Sequence, residues 1–500
     1  MIASYASQIY VTLVGILILP LYLKYMGAEA YGLVGFFTML QVIFNLLDMG
    51  LTPTVARETA RFRGGATDAL SYRRLLRALQ VIFVGVAVLG GGLMFVFSAV
   101  IATSWLNVQT LSASQVQLSL QLMAICVAAR WLSGLYRGCI SGSERLVWLS
   151  GFNVFVATLR FLGALPVLIW VGQTPSVFFT YQLIVAVIEI AGLSVKTHRL
   201  CPAVSAGQVI GWSLSSLFTP IKPVLKFSLT IAFTSAVWVL VTQIDKLMLS
   251  KLLPLEDYGY FTLAVLAGSG VLMISGPISN ALMPRMARLQ AEGDEVGLIS
   301  LYRGATQIVS VIAIPACLVL AFFAEQVLWV WTGDAHATAQ AAPVLRLYAV
   351  GNGFLALAAF PYYLQFAKGD LRLHSIGSAI FVLLLVPAII WGTLQYGVEG
   401  AGWAWIAANL AYFVGWVPKV HARFVTGLHI QWLKHDVGLI ALLTIIATTI
   451  VDSSIDWSHH RTSVGIEIII VSLLLLTVAA SGASIVRKAV RVRWLALVNS

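Results

Sequence analysis

The sequence is dominated by apolar runs of about 20 residues that alternate with short polar breaks. Apolar residues make up 59% of the 500 positions and charged residues only 10%, whereas a soluble domain carries about 25% charged residues. A helix of about 20 apolar residues spans the hydrocarbon core of a bilayer and satisfies its own backbone hydrogen bonds there. These features exclude a water-soluble fold and predict an all-α integral membrane protein.

The pattern predicts about fourteen transmembrane helices. Each of the runs is long enough to cross about 30 Å of hydrocarbon. The predicted spans are 5–24, 31–52, 79–102, 118–140, 147–170, 177–195, 227–250, 258–281, 305–330, 343–366, 372–394, 401–418, 434–452 and 463–486.

The basic residues predict the orientation of these spans. Most of the 31 Lys and Arg residues lie in alternate loops and in the C-terminal tail, and such residues accumulate on the cytoplasmic side of a membrane. We therefore expect a multi-pass membrane protein with both termini in the cytoplasm. The net charge of +11 follows from this topology, so anionic lipid headgroups are its expected counterpart and no nucleic-acid partner is expected.

An internal repeat divides the chain. The stretch Lys24-Tyr-Met-Gly-Ala-Glu-Ala-Tyr-Gly32 resembles Lys251-Leu-Leu-Pro-Leu-Glu-Asp-Tyr-Gly259 at an offset of 227. The same offset aligns Arg61 with Arg288 and Arg145 with Arg372. Six spans separate the matched points, and because six is even, the two halves enter the membrane in the same orientation. This is the plan of transporters built from parallel repeats.

The repeat predicts two parallel six-helix lobes followed by two additional C-terminal helices. We expect an N-terminal lobe with spans 1–6 and a C-terminal lobe with spans 7–12. A Pro- and Gly-containing segment connects them on the cytoplasmic side. The boundaries are 1–200 for the first lobe, 201–226 for the connector, 227–425 for the second lobe, and 426–500 for the last two spans with their basic tail.

Several short motifs resemble those of a known family. They are Gly27-Ala-Glu-Ala-Tyr-Gly32, Leu47-Asp-Met-Gly50, Arg57-Glu-Thr-Ala-Arg61, Gly142-Ser-Glu-Arg145 and Gln243-Ile-Asp-Lys246. Over nearly its whole length the chain resembles the polysaccharide flippases of the multidrug, oligosaccharidyl-lipid and polysaccharide export superfamily. The resemblance implies a flippase that moves undecaprenyl-pyrophosphate-linked oligosaccharide to the outer leaflet by alternating access. A polysaccharide polymerase and a chain-length regulator would be further partners, and a monomer suffices.

Charged residues inside predicted spans are candidate functional residues, because a charge at the bilayer centre costs about 2.5–3.5 kcal/mol on insertion scales. Arg130 in span 4 and Arg160 in span 5 lie at similar distances from the short loop that joins these spans. We expect both near the midplane, where guanidinium groups can bind pyrophosphate or acidic sugars. The alternative is a structural pairing with Glu189 of span 6.

Four other charged residues are candidates for binding or coupling. Lys246 in span 7 is a further candidate for substrate binding. Its neighbour Asp245 and Glu189 are candidates for the proton or cation that drives the cycle, since membrane burial favours protonation of a carboxylate. Asp48 near the inner end of span 2 is a weaker coupling candidate, because a helix-end cap or an interhelix hydrogen bond explains its position better.

Basic residues cluster at the predicted cytoplasmic ends of both lobes, where an anionic headgroup would be met first. The positive-inside rule is the simpler explanation of their charge. These entrance candidates are Arg57, Glu58, Arg61, Arg285 and Arg288.

Two other classes of function stay open at this point. A drug or small-solute cation-coupled antiporter of the same superfamily would have the same architecture. A membrane glycan polymerase or glycosyltransferase would need acidic or His residues on substantial loops, and the predicted outer loops are short. The sequence has no phosphate-binding G-x-x-x-x-G-K-[ST] loop and no metal-ligand spacing among its four cysteines. No cofactor and no metal are therefore expected.

Overall fold

Helices account for nearly all of the chain that the structure, a computed structural model, describes: residues 2–48, 50–202, 239, 241–273 and 275–487. Residues 203–226 of the predicted connector, residues 227–238 and 240 of span 7, and the end of the basic tail lie outside these residues. Contacts divide the chain into two units, Met1–Gly259 and Tyr260–Ser500. The predicted lobe boundaries remain a prediction.

The first unit contains eight helices that position the candidate site. They are α1 (Ile2–Met26), α2 (Ala28–Phe44), α3 (Leu51–Arg63), α4 (Ala69–Val96), α5 (Ala113–Gly142), α6 (Leu146–Ala157), α7 (Ala164–Trp170) and α8 (Pro175–Leu200). Residues 241–252 are also helical. A π-helical turn, Thr158–Leu162, joins α6 to α7.

Ten helices extend from the unit boundary to the C-terminal region. They are α9 (Leu255–Met273), α10 (Ser275–Ala291), α11 (Glu295–Phe322), α12 (Ala324–Thr332), α13 (Ala335–Ala358), α14 (Phe360–Lys368), α15 (Arg372–Ala411), α16 (Val417–Phe424), α17 (Leu439–Ser454) and α18 (Arg461–Gly482). The short helix Leu428–Gln431 and the π-helical turn Trp432–Gly438 precede α17.

Local sequence signals explain where several helices begin. Ser112 and Gln115 form a capping box at the start of α5, in which each side chain satisfies a backbone N–H that the helix leaves unpaired. Thr174 caps α8 directly before Pro175, and proline is favoured in the first turn because it has no N–H to satisfy. The carboxylate of Asp68 caps α4 by accepting a hydrogen bond from the Ser71 N–H at 3.0 Å.

Ten helices among the described residues are long and apolar enough to cross a membrane: Ala6–Met26, Ala69–Val96, Ala113–Gly142, Leu146–Trp170, Pro175–Leu200, Glu295–Phe322, Ala335–Lys368, Arg372–Phe424, Leu428–Ser454 and Arg461–Gly482. The 53-residue helix Arg372–Phe424 is too long for one crossing. Its backbone leaves the helical conformation at Tyr396 and Gly397, between predicted spans 11 and 12. The multi-pass helical architecture is confirmed, and the count of fourteen remains a prediction.

The two copies of the repeated turn contact each other inside the first unit. A Cβ on Gly32 would clash with the carbonyl oxygen of Leu255, and a Cβ on Gly259 would lie 2.5 Å from the carbonyl oxygen of Ala28. The repeat offset of 227 relates Gly32 to Gly259 and Ala28 to Leu255, so the two contacts are equivalent. Glycine at both positions is explained by this close approach of backbones.

Glu29 of the same turn binds the loop that precedes α5. Its carboxylate is buried and accepts hydrogen bonds from the backbone N–H groups of Thr110 and Leu111, each at 2.9 Å. The Leu255 N–H donates to the Asn107 carbonyl at 2.9 Å. The repeated turns and this loop are therefore joined by backbone and carboxylate hydrogen bonds.

The glycines on α5 allow a close approach of α3. A Cβ on Gly134 would lie 2.8 Å from the Thr52 hydroxyl, and one on Gly138 would lie 2.8 Å from the Thr52 carbonyl oxygen. A Cβ on Gly142 would clash with the carbonyl of Ala56. The small-residue stripe on α5 thus has a packing role.

Candidate substrate-binding site

The helices α5 and α8 run parallel and in register, and two polar contacts show it. An Arg130 Nη atom donates to the Gln182 Oε1 at 2.7 Å, and an Arg137 Nη atom donates to the Glu189 Oε1 at 2.6 Å. Both contacts join residues 52 positions apart. Because seven residues make two helical turns, all four side chains lie along one seam between the helices.

The π-helical turn Thr158–Leu162 brings a third arginine to this seam. In a π turn the backbone bonds are displaced by one residue, which leaves carbonyl groups to be satisfied by side chains. Tyr181 donates to the Leu159 carbonyl at 2.8 Å, and the Gln182 amide donates to the Arg160 carbonyl at 3.0 Å. Gln182 therefore links the guanidinium of Arg130 to the backbone of Arg160.

Glu189 is shared by two arginines. Its carboxylate lies 2.6 Å from Arg137 and 2.5 Å from Arg160, and its side chain is only 4% exposed. Asn153 accepts a second hydrogen bond from Arg137 at 2.5 Å. A buried carboxylate between two guanidinium groups is stabilised in its ionised form by charge-assisted hydrogen bonds.

Arg130 differs from its neighbours because its partners are neutral. Its guanidinium donates to the amide oxygens of Gln41 and Gln182, at 2.5 and 2.7 Å, and lies over the ring of Phe37 with 5.0 Å to the centroid. Within the described residues no carboxylate lies at ion-pair distance from it. We call Arg130, Arg137, Arg160 and Glu189 the arginine cluster, and it carries three cations and one anion.

Two donors of the arginine cluster have no partner among the described side chains. The Nε atoms of Arg130 and of Arg160 are buried and lack a hydrogen-bond acceptor there. Buried N–H groups of charged residues are normally satisfied, so each unpaired one needs an explanation. Together with the unbalanced charge, these donors fit a site that binds an anionic group.

The sequence predicted part of this arrangement. Arg130, Arg160 and Glu189 were all expected inside the first lobe, and the structure brings them together through Gln182. The pairing of Arg160 with Glu189 is the structural alternative raised for it, whereas Arg130 has no such pairing. Sequence reasoning did not identify Arg137 as a member of the cluster. Its position seven residues after Arg130, on the same helical face, was the available signal.

Lys246 and Asp245 contact each other. The Lys246 ammonium lies 3.1 Å from the Asp245 carboxylate and donates to the Thr242 carbonyl at 2.7 Å. Adjacent helical residues point about 100° apart, but the long lysine side chain bends back onto its neighbour. Asp245 is fully buried. Its predicted coupling role and the predicted substrate-binding role of Lys246 remain predictions.

Asp48 caps the helix that follows it. Its carboxylate accepts hydrogen bonds from the Thr52 N–H at 3.1 Å and the Thr52 hydroxyl at 2.7 Å. This is the helix-cap alternative raised for it, and it stabilises the first turn of α3.

The entrance candidates of the first lobe form a local ion-pair group. Glu58 is buried and lies 3.1 Å from Arg61 and 4.0 Å from Arg57. In the second unit Arg285 is exposed, and Arg288 pairs with Glu292 at 3.4 Å. Their predicted role as an entrance for anionic headgroups remains a prediction.

The second unit contains a buried polar cluster that sequence reasoning did not identify. Arg303 on α11 binds the Asp436 carboxylate through two nitrogens, at 2.6 and 3.2 Å. The Gln307 amide donates to Asp436 at 2.6 Å and accepts from the Ile485 N–H at 3.0 Å. We call Arg303, Gln307 and Asp436 the aspartate cluster, and it attaches the segment before α17 and the end of α18 to α11.

A family model described as "Polysaccharide biosynthesis protein" matches residues 1–290. A curated relative from Shigella flexneri, named "Putative O-antigen transporter", is 19% identical over 394 residues, which is 79% of this chain and 90% of the relative.

Two solved structures share the fold. A lipid II flippase, MurJ, in an inward closed conformation matches with a TM-score of 0.74 at 14% identity, covering 96% of this chain and 98% of the flippase. An inward-facing multidrug resistance MATE transporter of the MOP superfamily matches with a TM-score of 0.63 at 15% identity, covering 84% of this chain and 96% of the transporter. These proteins are transporters or flippases, and this agrees with the expectation of transport over catalysis.

Proposed function

The chain belongs to the polysaccharide biosynthesis protein family, and on that premise we propose that it is a flippase for undecaprenyl-pyrophosphate-linked oligosaccharide. It would move this lipid from the cytoplasmic to the outer leaflet of a bacterial inner membrane by alternating access. The name of the Shigella flexneri relative, an O-antigen transporter, supports a glycan cargo. The unbalanced positive charge of the arginine cluster is the observation that carries the proposal.

The charge of the cluster suits a pyrophosphate. Each arginine kept inside a membrane costs about 2.5–3.5 kcal/mol on insertion scales, yet the arginine cluster holds three of them against a single carboxylate. An anionic group on the cargo would supply the missing counter-charge. Guanidinium groups also match phosphate oxygens in geometry, because two parallel N–H groups can bind two oxygens.

The members of the cluster have different roles in this proposal. Arg130 has only amide partners, so it is the residue that binds the phosphate group directly. Glu189 holds Arg137 and Arg160 in place, and the π-helical turn fixes the backbone of Arg160. Glu189 lies between two cations and Asp245 beside one, Lys246, so Asp245 is the better of these two carboxylates for the coupling ion.

A cation-coupled drug antiporter is the second candidate, because the MATE transporter has the same fold. A cluster with more arginines than carboxylates would repel a cationic drug. The sign of the buried charge therefore favours an anionic cargo.

Flipping of a fluorescent lipid-linked oligosaccharide in proteoliposomes tests the proposal. We expect Arg130→Gln to lower the initial flipping rate by about tenfold or more, since a charge-assisted hydrogen bond is lost. Arg130→Lys should be intermediate. The control is Arg346→Gln, which removes an exposed arginine paired with Glu325 at 2.7 Å, and it should flip at the wild-type rate.

Two results would overturn the proposal. One is wild-type flipping by the Arg130→Gln protein inserted at a normal level. The other is ion-coupled exchange of a cationic dye by the wild-type protein without flipping of the glycolipid, which would identify an antiporter.

A further inference from the structure

A small polar cavity lies at the predicted cytoplasmic ends of α4 and α8, apart from the residues of the arginine cluster. Its volume is about 100 Å³. The residues that line it are Arg73, Leu76, Arg77, Gln80, Thr197, His198 and Cys201. The contributions of α4 are spaced by three and four residues, so they form one face of that helix.

The described residues that line the cavity carry cations and hydrogen-bond donors and include no carboxylate. The Arg73 Nε donates to the Pro202 carbonyl at 3.0 Å, which orients the guanidinium so that its two Nη atoms, which have no hydrogen-bond partner among the described residues, can contact a ligand. The His198 Nδ1 lies 2.7 Å from the Ser194 carbonyl and therefore carries the proton, so Nε2 is the nitrogen left for other contacts.

We propose that this cavity binds a phosphate group at the inner surface of the membrane. Two guanidinium groups four residues apart and the amide of Gln80 line it, and such donors recognise phosphate oxygens from several directions. Basic pockets between helices on the cytoplasmic side are suited to anionic lipid headgroups. A soluble phosphate offers the same chemistry, so the test has to distinguish these two sources.

Cys201 provides a reporter inside the cavity. It is partly exposed, whereas Cys126, Cys139 and Cys317 are buried. Burial raises the pKa of the Cys201 thiol, and nearby Arg73 offsets this in part. Labelling by a maleimide at one fixed pH therefore reports whether the cavity is occupied.

The experiment measures the rate of maleimide labelling of Cys201 in the full-length protein in detergent. The added ligands are short-chain phosphatidylglycerol, diacylglycerol of the same chain length, and inorganic phosphate against chloride at equal ionic strength. We expect phosphatidylglycerol to slow the labelling severalfold and diacylglycerol to leave it unchanged. Protection by inorganic phosphate at the same concentration would identify soluble phosphate as the ligand. Protection by phosphatidylglycerol but not by inorganic phosphate would identify the lipid headgroup.

The variants distinguish binding in the cavity from a general effect of positive surface charge. Arg73→Gln with Arg77→Gln should raise the concentration needed for half protection by about tenfold or more, because two charged donors are lost. Arg74→Gln is the control, since it removes one positive charge from the same turn of α4 as Arg73 but does not line the cavity, and it should behave as wild type. If the double variant does not fold, Arg77→Gln alone should give a smaller increase in the same direction.

Three results would overturn the proposal. They are the absence of protection by either phosphate compound, equal protection of the wild-type and double-variant proteins, and equal loss of protection in Arg74→Gln.

Discussion

The arginine cluster of the first unit and the aspartate cluster of the second unit are both buried and polar, but their charges differ. In the aspartate cluster one cation faces one anion, and Gln307 uses both ends of its amide. In the arginine cluster three cations face one anion, and two Nε atoms lack partners among the described residues. Similar residue types therefore form a balanced arrangement in one unit and an unbalanced one in the other.

The difference separates a structural cluster from a candidate binding site. A buried ion pair whose hydrogen bonds are all made needs no ligand to neutralise its charge, and removing one partner lowers the stability of the fold. A cluster with excess positive charge is neutralised only when an anion binds. Variants of the aspartate cluster should therefore change stability, and variants at Arg130 should change transport.

The largest effect on stability is expected for Arg303→Met. It leaves the Asp436 carboxylate, which has an exposed fraction of 0%, without a cation, and such a loss costs about 3–5 kcal/mol. Asp436→Asn should cost less, because the Arg303 side chain is 28% exposed and can turn toward water. Thermal unfolding of the purified proteins measures both. Equal losses in the two variants would contradict the assignment of the larger penalty to the carboxylate.

A smaller loss is expected for Glu189→Gln. It leaves three arginines close together without an anion, and the loss of its charged hydrogen bonds should lower the free energy of unfolding by about 2–3 kcal/mol. Glu325→Gln is the control, because Glu325 is exposed and its ion pair with Arg346 is worth at most about 1 kcal/mol. If both variants lose the same stability, Glu189 does not hold the cluster together.

The smallest change in stability is expected for Gln41→Glu, which gives Arg130 a carboxylate. The new pair should change the free energy of unfolding by no more than about 1 kcal/mol, since desolvation of the added charge offsets the attraction. Flipping of lipid-linked oligosaccharide should nevertheless fall about tenfold, because the counter-charge now competes with the cargo. Wild-type flipping together with unchanged stability would show that transport does not require Arg130 to lack a carboxylate partner.

Much of the fold was predictable because the bilayer imposes a single length and a single polarity on its spans. The boundary between predicted spans 11 and 12 is marked in the structure by the non-helical backbone at Tyr396 and Gly397. The helices α3 and α14 are shorter than a span, and amphipathic or interrupted segments of this kind do not follow from apolar run length.

The charged residues of the candidate site were predictable from the sequence, but the neutral residues that contact them were not. Arg130 and Arg160 are unusual inside apolar runs, so their presence alone identified them. Gln41 and Gln182 are neutral, and nothing in the sequence shows that they face an arginine. The π-helical turn at Thr158–Leu162 is set by packing against Tyr181 and Gln182, and local propensity does not predict it. The aspartate cluster was missed because Asp436 lies more than a hundred residues along the chain from Arg303 and Gln307.

The reciprocal contact of the two repeated turns has an evolutionary consequence. Gly32 meets the backbone at Leu255 in the way that Gly259 meets the backbone at Ala28, so the contact is the same when the two copies are exchanged. Self-complementary contacts of this kind hold together symmetric dimers of identical chains. The contact is therefore of the kind expected when one gene segment is duplicated and both copies stay in a single chain.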